Sequence, residues 1–379
     1  MIFYLTYSEQ PSGVYSSQVT DVVRFISQEI KQPIRLIVFI SIRNFSVSKS
    51  KIKAELPDAI VLPMFPKLIN WRKNYFLLAL YARFLKPKMV IGRNVLATQL
   101  ALKLKSKKII DKVIYDGRGA ISAEWHEYSV VNDAKMIQQI EQLEKEVVIN
   151  ADFRIAVSQQ LINHWKTQFN YQSSNHVIIP CTVNKVFQDV VINDKSIYES
   201  RKKMGFTSED IVLVYSGSVA GWQSFQLLQD FIKQTFSFQN NLKIFFLSDE
   251  DEKITQLKNE FPNRVFCKKV KPNEVPEYLM AADYGLLIRE NTITNQVASP
   301  VKFAEYLSCG LQIIISENLG DYSEFVKSND CGIVFNSNNS QNIILKAVSI
   351  DEKNSLKILA ITNFTKKVFV EKYRKLVSI

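Results

Sequence analysis

Apolar positions along the 379-residue chain fall into short runs, separated by stretches whose apolar residues recur at helical spacing. The runs "MIFYLT", "IRLIVFI", "KMVI", "KVIYD" and "FRIAV" are short and rich in β-branched residues, as buried strands are. The spacing between and after them predicts helices over about 16–30, 72–86, 94–105, 122–150 and 158–169. The alternation stops at "VIIPCTVNKVFQDVVINDKS", which holds Pro180 and little periodicity and reads as a linker. It restarts with "IVLVYSG", "LKIFFLS", "RVFCKKV", "YGLLIR", "QIIIS" and "GIVF", each followed by a helical pattern. Such βα alternation predicts an α/β chain of two Rossmann-like doubly wound domains facing across a cleft, with ligands outside the carboxyl ends of the strands. The N-terminal domain is expected over residues 1–182 and the C-terminal domain over 183–360. Residues 361–379 form a C-terminal helix able to return to the N-terminal domain.

One helix carries a charge in an unfavourable place. In "VASPVKFAEYLSCGLQIIIS" (297–316), Ser299 suits the N-cap, Pro300 the first helical position and Gly310 the residue past the end. Lys302 then lies in the first turn, where the helix dipole disfavours a cation by roughly 0.3–1 kcal/mol. A bound anion reverses that sign, and phosphate is the usual anion at such a helix start. Glu305, one turn on, has the geometry to accept from a vicinal diol, so phosphate and ribose together describe a nucleotide. The alternative is a surface helix with a Lys-Glu pair in the less favourable order. Arg289, at the end of the strand "YGLLIR", is suited to bidentate contact with the same diphosphate or to a loop salt bridge. In the N-terminal half, "DGRGAISAEWHEY" gathers Asp116, Arg118, Glu124, His126 and Glu127 at a strand end. Arg118, Glu124 and His126 are therefore candidate catalytic groups beside Arg289, or else an Asp-Arg turn and a solvated helix face.

Charge changes the picture further. Residues 1–185 hold 25 Lys+Arg against 14 Asp+Glu, while 186–379 hold 23 of each, so the net charge of +11 belongs to the first half. That half is expected to meet an anionic surface. The segment 65–88, "FPKLINWRKNYFLLALYARFLKPK", interleaves aromatic residues with cations, and Lys67, Trp71, Arg72, Lys73, Lys86 and Lys88 form a candidate membrane or acceptor face. Its apolar residues at helical spacing also fit a helix packed on the sheet. No apolar run reaches the ~20 residues of a bilayer span, and the N-terminus reads as a strand. Cytoplasmic residence, peripheral at the inner membrane, is expected. The four cysteines, Cys181, Cys267, Cys309 and Cys331, have no CxxC spacing and only three histidines to join them, so neither a disulfide framework nor a metal site is expected.

The chain resembles GT-B fold glycosyltransferases and is similar to the retaining family 4 enzymes of bacterial surface polysaccharide synthesis. The resemblance is carried by "SGVYSSQV" (12–19), "YDGRGAISAE" (115–124), "IPCTVN" (179–184), "YSGSVAGW" (215–222) and "AADYGLLIRE" (281–290). The specific segment is 281–326, in which "AADYGLLIRE" is followed by "ASPVKFAEYLSCGLQIIIS" and the trailing "GDYSEFV" (320–326). It implies a nucleoside diphosphate sugar as donor substrate, no cofactor, and a lipid-linked or saccharide acceptor. Carried over, Glu305 takes the ribose, while Ser299, Lys302 and Arg289 take the diphosphate. Gly217 and Ser218 bring backbone close to the phosphates, and Gly13, with Ser12, Ser16 and Ser17, closes over the donor. Two positions depart from the family pattern. Val297 stands where a first glutamate is usual, and Trp222 and Gln223 stand where a lysine is usual after the "SGS" turn, leaving Arg289 to supply that charge. The alternatives are a sugar-nucleotide epimerase of the same fold and a non-catalytic binder of anionic lipid or nucleic acid. No nucleic-acid motif accompanies the charge.

Overall fold

The computed structural model describes residues 1–217, 221–336 and 343–378, except the side chain of residue 222. The chain divides into two compact units. The first comprises Met1–Thr182, Val297–Ser299 and Lys366–Ile379; the second comprises Val183–Gln296 and Pro300–Thr365.

The first unit is built on seven strands: β1 (Ile2–Tyr7), β2 (Ile34–Ile40), β3 (Ile60–Pro63), β4 (Met89–Arg93), β5 (Lys112–Gly117), β6 (Phe153–Ala156) and β7 (His176–Ile178). They form one parallel sheet in the order β3-β2-β1-β4-β5-β6-β7. Successive residues of β1 and β2 feed opposite faces. Phe3, Leu5 and Phe39 join one core cluster, and Ile2, Tyr4 and Val38 the other. Burial on both faces explains why these strands are continuous apolar runs and do not alternate. The helix Val370–Val377 packs with this unit, placing Tyr373 and Leu376 in the second cluster.

The second unit carries β8 (Ile211–Ser216), β9 (Leu242–Leu247), β10 (Val265–Cys267), β11 (Tyr284–Leu287), β12 (Gln312–Ser316) and β13 (Gly332–Phe335). Their order is β10-β9-β8-β11-β12-β13, again all parallel. Asp283, just before β11, ties the unit together. Its carboxylate pairs with Arg201 at 2.8 Å, accepts from the Val212 amide at 2.9 Å, and lies 3.9 Å from the Lys353 ammonium. Burial pushes the Lys353 pKa down to about 8, against the pull of Asp283. Gly285 in β11 leaves room for the Tyr306 ring, which a β-carbon there would meet at 2.2 Å.

Four local expectations are corrected. The strands β3 and β7 were not anticipated, since Ile60–Pro63 is short and His176–Ile178 overlaps the start of the apparent linker. The helix expected over 122–150 is two helices, Ile121–Tyr128 and Ala134–Asn150. Ser129 in left-handed backbone ends the first, and the Asp133 side chain caps the second by accepting from the Lys135 and Met136 amides. The chain thereby folds back. Glu144, fully buried, accepts from the amides of Ile121 and Ser122 at 3.0 and 2.7 Å and so caps the start of the first helix. Finally, Pro300 and not Ser299 occupies the N-cap of the helix Val301–Ser308.

Burial pushes the Glu144 pKa up from its ordinary value to about 7, outweighing the hydrogen bonds that favour its charge. A carboxyl raised on folding lends stability that is full below its unfolded pKa and is lost as pH climbs through the folded value. The thermal midpoint of Glu144→Gln, which cannot ionise, is therefore expected to gain on that of the unaltered protein between about pH 5 and pH 8. A difference independent of pH would show that Glu144 titrates normally.

Candidate active site

In the second unit the strand order reverses at β8, so the crevice at the carboxyl ends of β8 and β11 is the natural ligand position. Four hydrogen bonds converge there. The amide of Ser216, last residue of β8, donates to the Tyr306 hydroxyl at 2.8 Å, holding the helix Val301–Ser308 against the strand end. Arg289, two residues past β11, donates its amide to Ser316 Oγ at 2.8 Å and its guanidinium to Gln223 Oε1 at 3.1 Å. The amide of Glu290 donates to Ser224 Oγ at 2.8 Å, closing the same turn. A cavity of about 210 Å³ opens beside Arg289, lined also by Glu290, Ser316, Glu317 and Asn336.

The helix places Lys302 and Glu305 on one face. Their side chains form an ion pair at 2.9 Å, with Lys302 27% and Glu305 10% exposed. The lysine read as awaiting an anion is thus paired with the glutamate three residues on, the arrangement of the alternative reading. Gly217 is partly exposed, and the nearest atom to a β-carbon there would be the Tyr215 hydroxyl at 3.4 Å, an ordinary contact. Ser218 lies outside the described residues.

Ser299 and Val297 belong to the first unit. Ser299 Oγ accepts from the Cys181 amide at 2.8 Å, which is why it does not cap the helix. Val297 is buried in the first unit's core, and its carbonyl accepts from Ser158 Oγ at 2.7 Å. The apolar side chain of Val297 fills a core position.

In the first unit the strand order reverses at β1, and the polar groups at that end bind one another. Arg93 at the end of β4 pairs with Glu9 at 2.8 Å and lies 3.6 Å from Asp116. Asn94 donates to Glu9 at 2.9 Å. Asp116, at the end of β5, also accepts from the Tyr4 hydroxyl. Desolvation works against the Arg93 charge, but Glu9, Tyr4 and Asp116 outweigh it and keep its pKa above the ordinary arginine value. Arg118 turns into this network, 3.4 Å from Asp116 and 3.1 Å from Gln18 Oε1, with 11% of its side chain exposed. The pairing with Asp116 is the arrangement of the alternative reading, an Asp-Arg turn. Glu124 is partly buried and its pKa is raised by that burial. His126 is exposed, and its Nδ1 contacts the carbonyl of Ser122 in its own helix at 2.7 Å. No hydrogen bond among the described residues joins Arg118, Glu124 and His126, and the last two share the helix Ile121–Tyr128. Gly13 opens a short helical turn that Ser12 Oγ caps by accepting from the Tyr15 amide at 3.2 Å; Ser17 Oγ donates to the Val14 carbonyl at 3.2 Å. A β-carbon on Gly13 would meet nothing within 4 Å.

A family model described as "Glucosyltransferase 3-like, C-terminal domain" matches residues 213–377. Among solved structures the chain is similar to HepE of Anabaena, determined in complex with UDP. The identity is 14% and the TM-score 0.73, over 100% of this chain and 99% of that one. It is similar to sucrose-phosphate synthase of Thermosynechococcus elongatus at 12% identity and TM-score 0.70, over 100% and 99%. It is also similar to WaaG, a glycosyltransferase involved in lipopolysaccharide biosynthesis, at 13% identity and TM-score 0.63, over 99% and 93%. The fold is that of the GT-B glycosyltransferases. These likenesses bear out the expected fold, and the family match over residues 213–377 supports the expected enzyme class, a glycosyltransferase. No curated protein matches the sequence.

Proposed function

We propose that the protein is a retaining glycosyltransferase, akin to family 4. It moves a hexose-type sugar from a nucleoside diphosphate donor to a lipid-linked oligosaccharide or polysaccharide acceptor, working peripherally at the cytoplasmic face of an inner membrane in surface glycan synthesis. The observation that carries the donor side is the linkage of Arg289, the turn through Gln223 and the Lys302–Glu305 helix to the carboxyl ends of β8 and β11. Gln223 and Arg289 touch, so the arginine brings its charge to the turn where the family has a lysine.

In this reading Lys302 exchanges its carboxylate partner for diphosphate oxygens, which frees Glu305 to accept from the ribose hydroxyls. As the nucleoside diphosphate leaves, negative charge grows on it while the sugar becomes oxocarbenium-like. Arg289, Lys302 and the helix dipole then stabilise the transition state more than the ground state. A UDP donor is the first to test, HepE having been solved with UDP.

Selective binding raises apparent stability by about 2.7 kcal/mol at a hundredfold excess over Kd. A thermal-shift panel of UDP, GDP, ADP, CMP and their common sugars is expected to show one base that shifts the transition. No shift with any of them would overturn the donor reading. Incubation of the preferred donor alone separates the epimerase, which would alter the sugar without an acceptor, from the transferase, which would not.

A further inference from the structure

The helix Tyr75–Leu85 has Arg83 as its one charge and is otherwise largely apolar, yet only one side is covered. Tyr75, Leu78, Ala79 and Ala82 are buried against the first unit. The opposite side presents Phe76, Leu80 and Phe84 at 72%, 64% and 82% exposure, three large side chains at successive four-residue steps. Scattered apolar residues on a surface are ordinary, but a contiguous stripe along one helix is the mark of an interaction face. The flanking charges identify what it meets. The segment 65–88 holds six cations and no acid. Lys73 and Arg83 fall on the stripe's own face, and Lys86 and Lys88 lie just past its end. All four are exposed and form no ion pair among the described residues. A protein partner of that charge pattern would have to be both acidic and greasy; an anionic bilayer offers phosphates at its surface and hydrocarbon directly beneath.

Beside the stripe lies a cavity of about 570 Å³ lined by Trp71, Arg72, Gln99, Lys103, Glu146 and Lys105 among others, Lys105 being paired with Asp152. The Lys103 ammonium sits 4.4 Å over the Tyr75 ring, and that ring lies against the Phe76 ring with centroids 6.0 Å apart, so cavity and stripe adjoin. Trp71 is 3% exposed and its indole N–H has no partner among the described residues. Trp71 is therefore not part of the exposed face expected from the sequence; it is a buried donor at the cavity, with the Arg72 guanidinium stacked on its ring at 4.6 Å.

We propose that this helix docks the protein on an anionic phospholipid bilayer. Phe76, Leu80 and Phe84 enter the headgroup–acyl boundary, the flanking cations meet lipid phosphates, and one headgroup is received at Arg72 and Lys103. The assignment rests on the membrane side of the function proposed above and is independent of its donor side. Co-sedimentation with phosphatidylcholine vesicles, with and without phosphatidylglycerol, tests it. Binding is expected to need the anionic lipid and to weaken as salt rises. It is expected to fall about tenfold or more in Phe76→Ser/Leu80→Ser/Phe84→Ser, and likewise in Lys73→Gln/Arg83→Gln/Lys86→Gln/Lys88→Gln. Arg72→Gln/Lys103→Gln should lower the preference for anionic lipid with the stripe intact. No binding, equal binding to both vesicle types, or full binding by the triple-serine variant would overturn the proposal. The nucleotide-induced thermal shift of the same preparations keeps the two readings apart. A shift without vesicle binding sinks only the docking, and vesicle binding without a shift sinks only the donor assignment.

Discussion

Asp116→Ala is expected to cost the N-terminal domain about 3–5 kcal/mol, the range for removing one partner of a buried ion pair. The carboxylate is 3% exposed and is shared by Arg93, Arg118 and the Tyr4 hydroxyl. Arg93 keeps Glu9 after the change, but among the described residues Arg118 is left with Gln18 and the Cys181 sulfur, 4.0 Å away, so the uncompensated charge falls mainly on Arg118. Asp116→Asn, which retains an acceptor for Tyr4, should cost less. Urea unfolding followed by tryptophan fluorescence measures this well, because Trp71, Trp125 and Trp165 lie in the first unit. An unchanged midpoint would mean that Arg118 finds water or another partner without loss, and the network would not hold this end of the sheet.

Lys302→Ala is expected to weaken nucleoside diphosphate binding by roughly 1.5–3 kcal/mol, the range for a charge-assisted hydrogen bond. Fold stability should change by no more than about 1 kcal/mol, because the Lys302–Glu305 pair is partly exposed and solvent screens it. Calorimetric titration with the nucleotide preferred in the thermal-shift panel reads the first quantity. Glu305→Gln separates the two ways of reading the pair. If Glu305 holds the ribose, nucleotide affinity falls while pyrophosphate binds as before. If it serves only to position Lys302, both ligands lose equally, and the ribose must be held elsewhere. An unchanged affinity in Lys302→Ala returns the lysine to a surface helix pair.

The likeness of fold takes in HepE, sucrose-phosphate synthase and WaaG, and a fold so widely shared does not by itself fix a substrate. Substrate choice therefore resides in the side chains grafted on the strand ends and not in the sheets. In this chain the strand ends differ sharply between the units. Those of the first close on themselves through Glu9, Arg93, Asp116 and Arg118, whereas those of the second leave Arg289 at the wall of a cavity.

Most strands, the presence of two Rossmann-like units and the helix that carries Lys302 and Glu305 were determined by the sequence alone. Their signals are local: β-branched runs, helical spacing, and Gly310, whose φ of +77° just past the helix needs no neighbour to be read. The tertiary structure decided what each polar or apolar face meets. Ser299 has the chemistry of an N-cap, but its oxygen is taken by an amide 118 positions earlier in the chain, so Pro300 stands at the cap. Arg118 looks presentable beside Asp116 in sequence, yet the network that draws it inward needs Arg93 and Gln18, brought near only by the parallel sheet. Glu144 became a cap because the expected long helix breaks at Ser129 and folds back. The helix Tyr75–Leu85 gives the plainest case. Periodicity shows which residues share a face, but a face covered by protein and one left for a membrane have the same spacing; only the packing of Leu78, Ala79 and Ala82 reveals that Phe76, Leu80 and Phe84 point away.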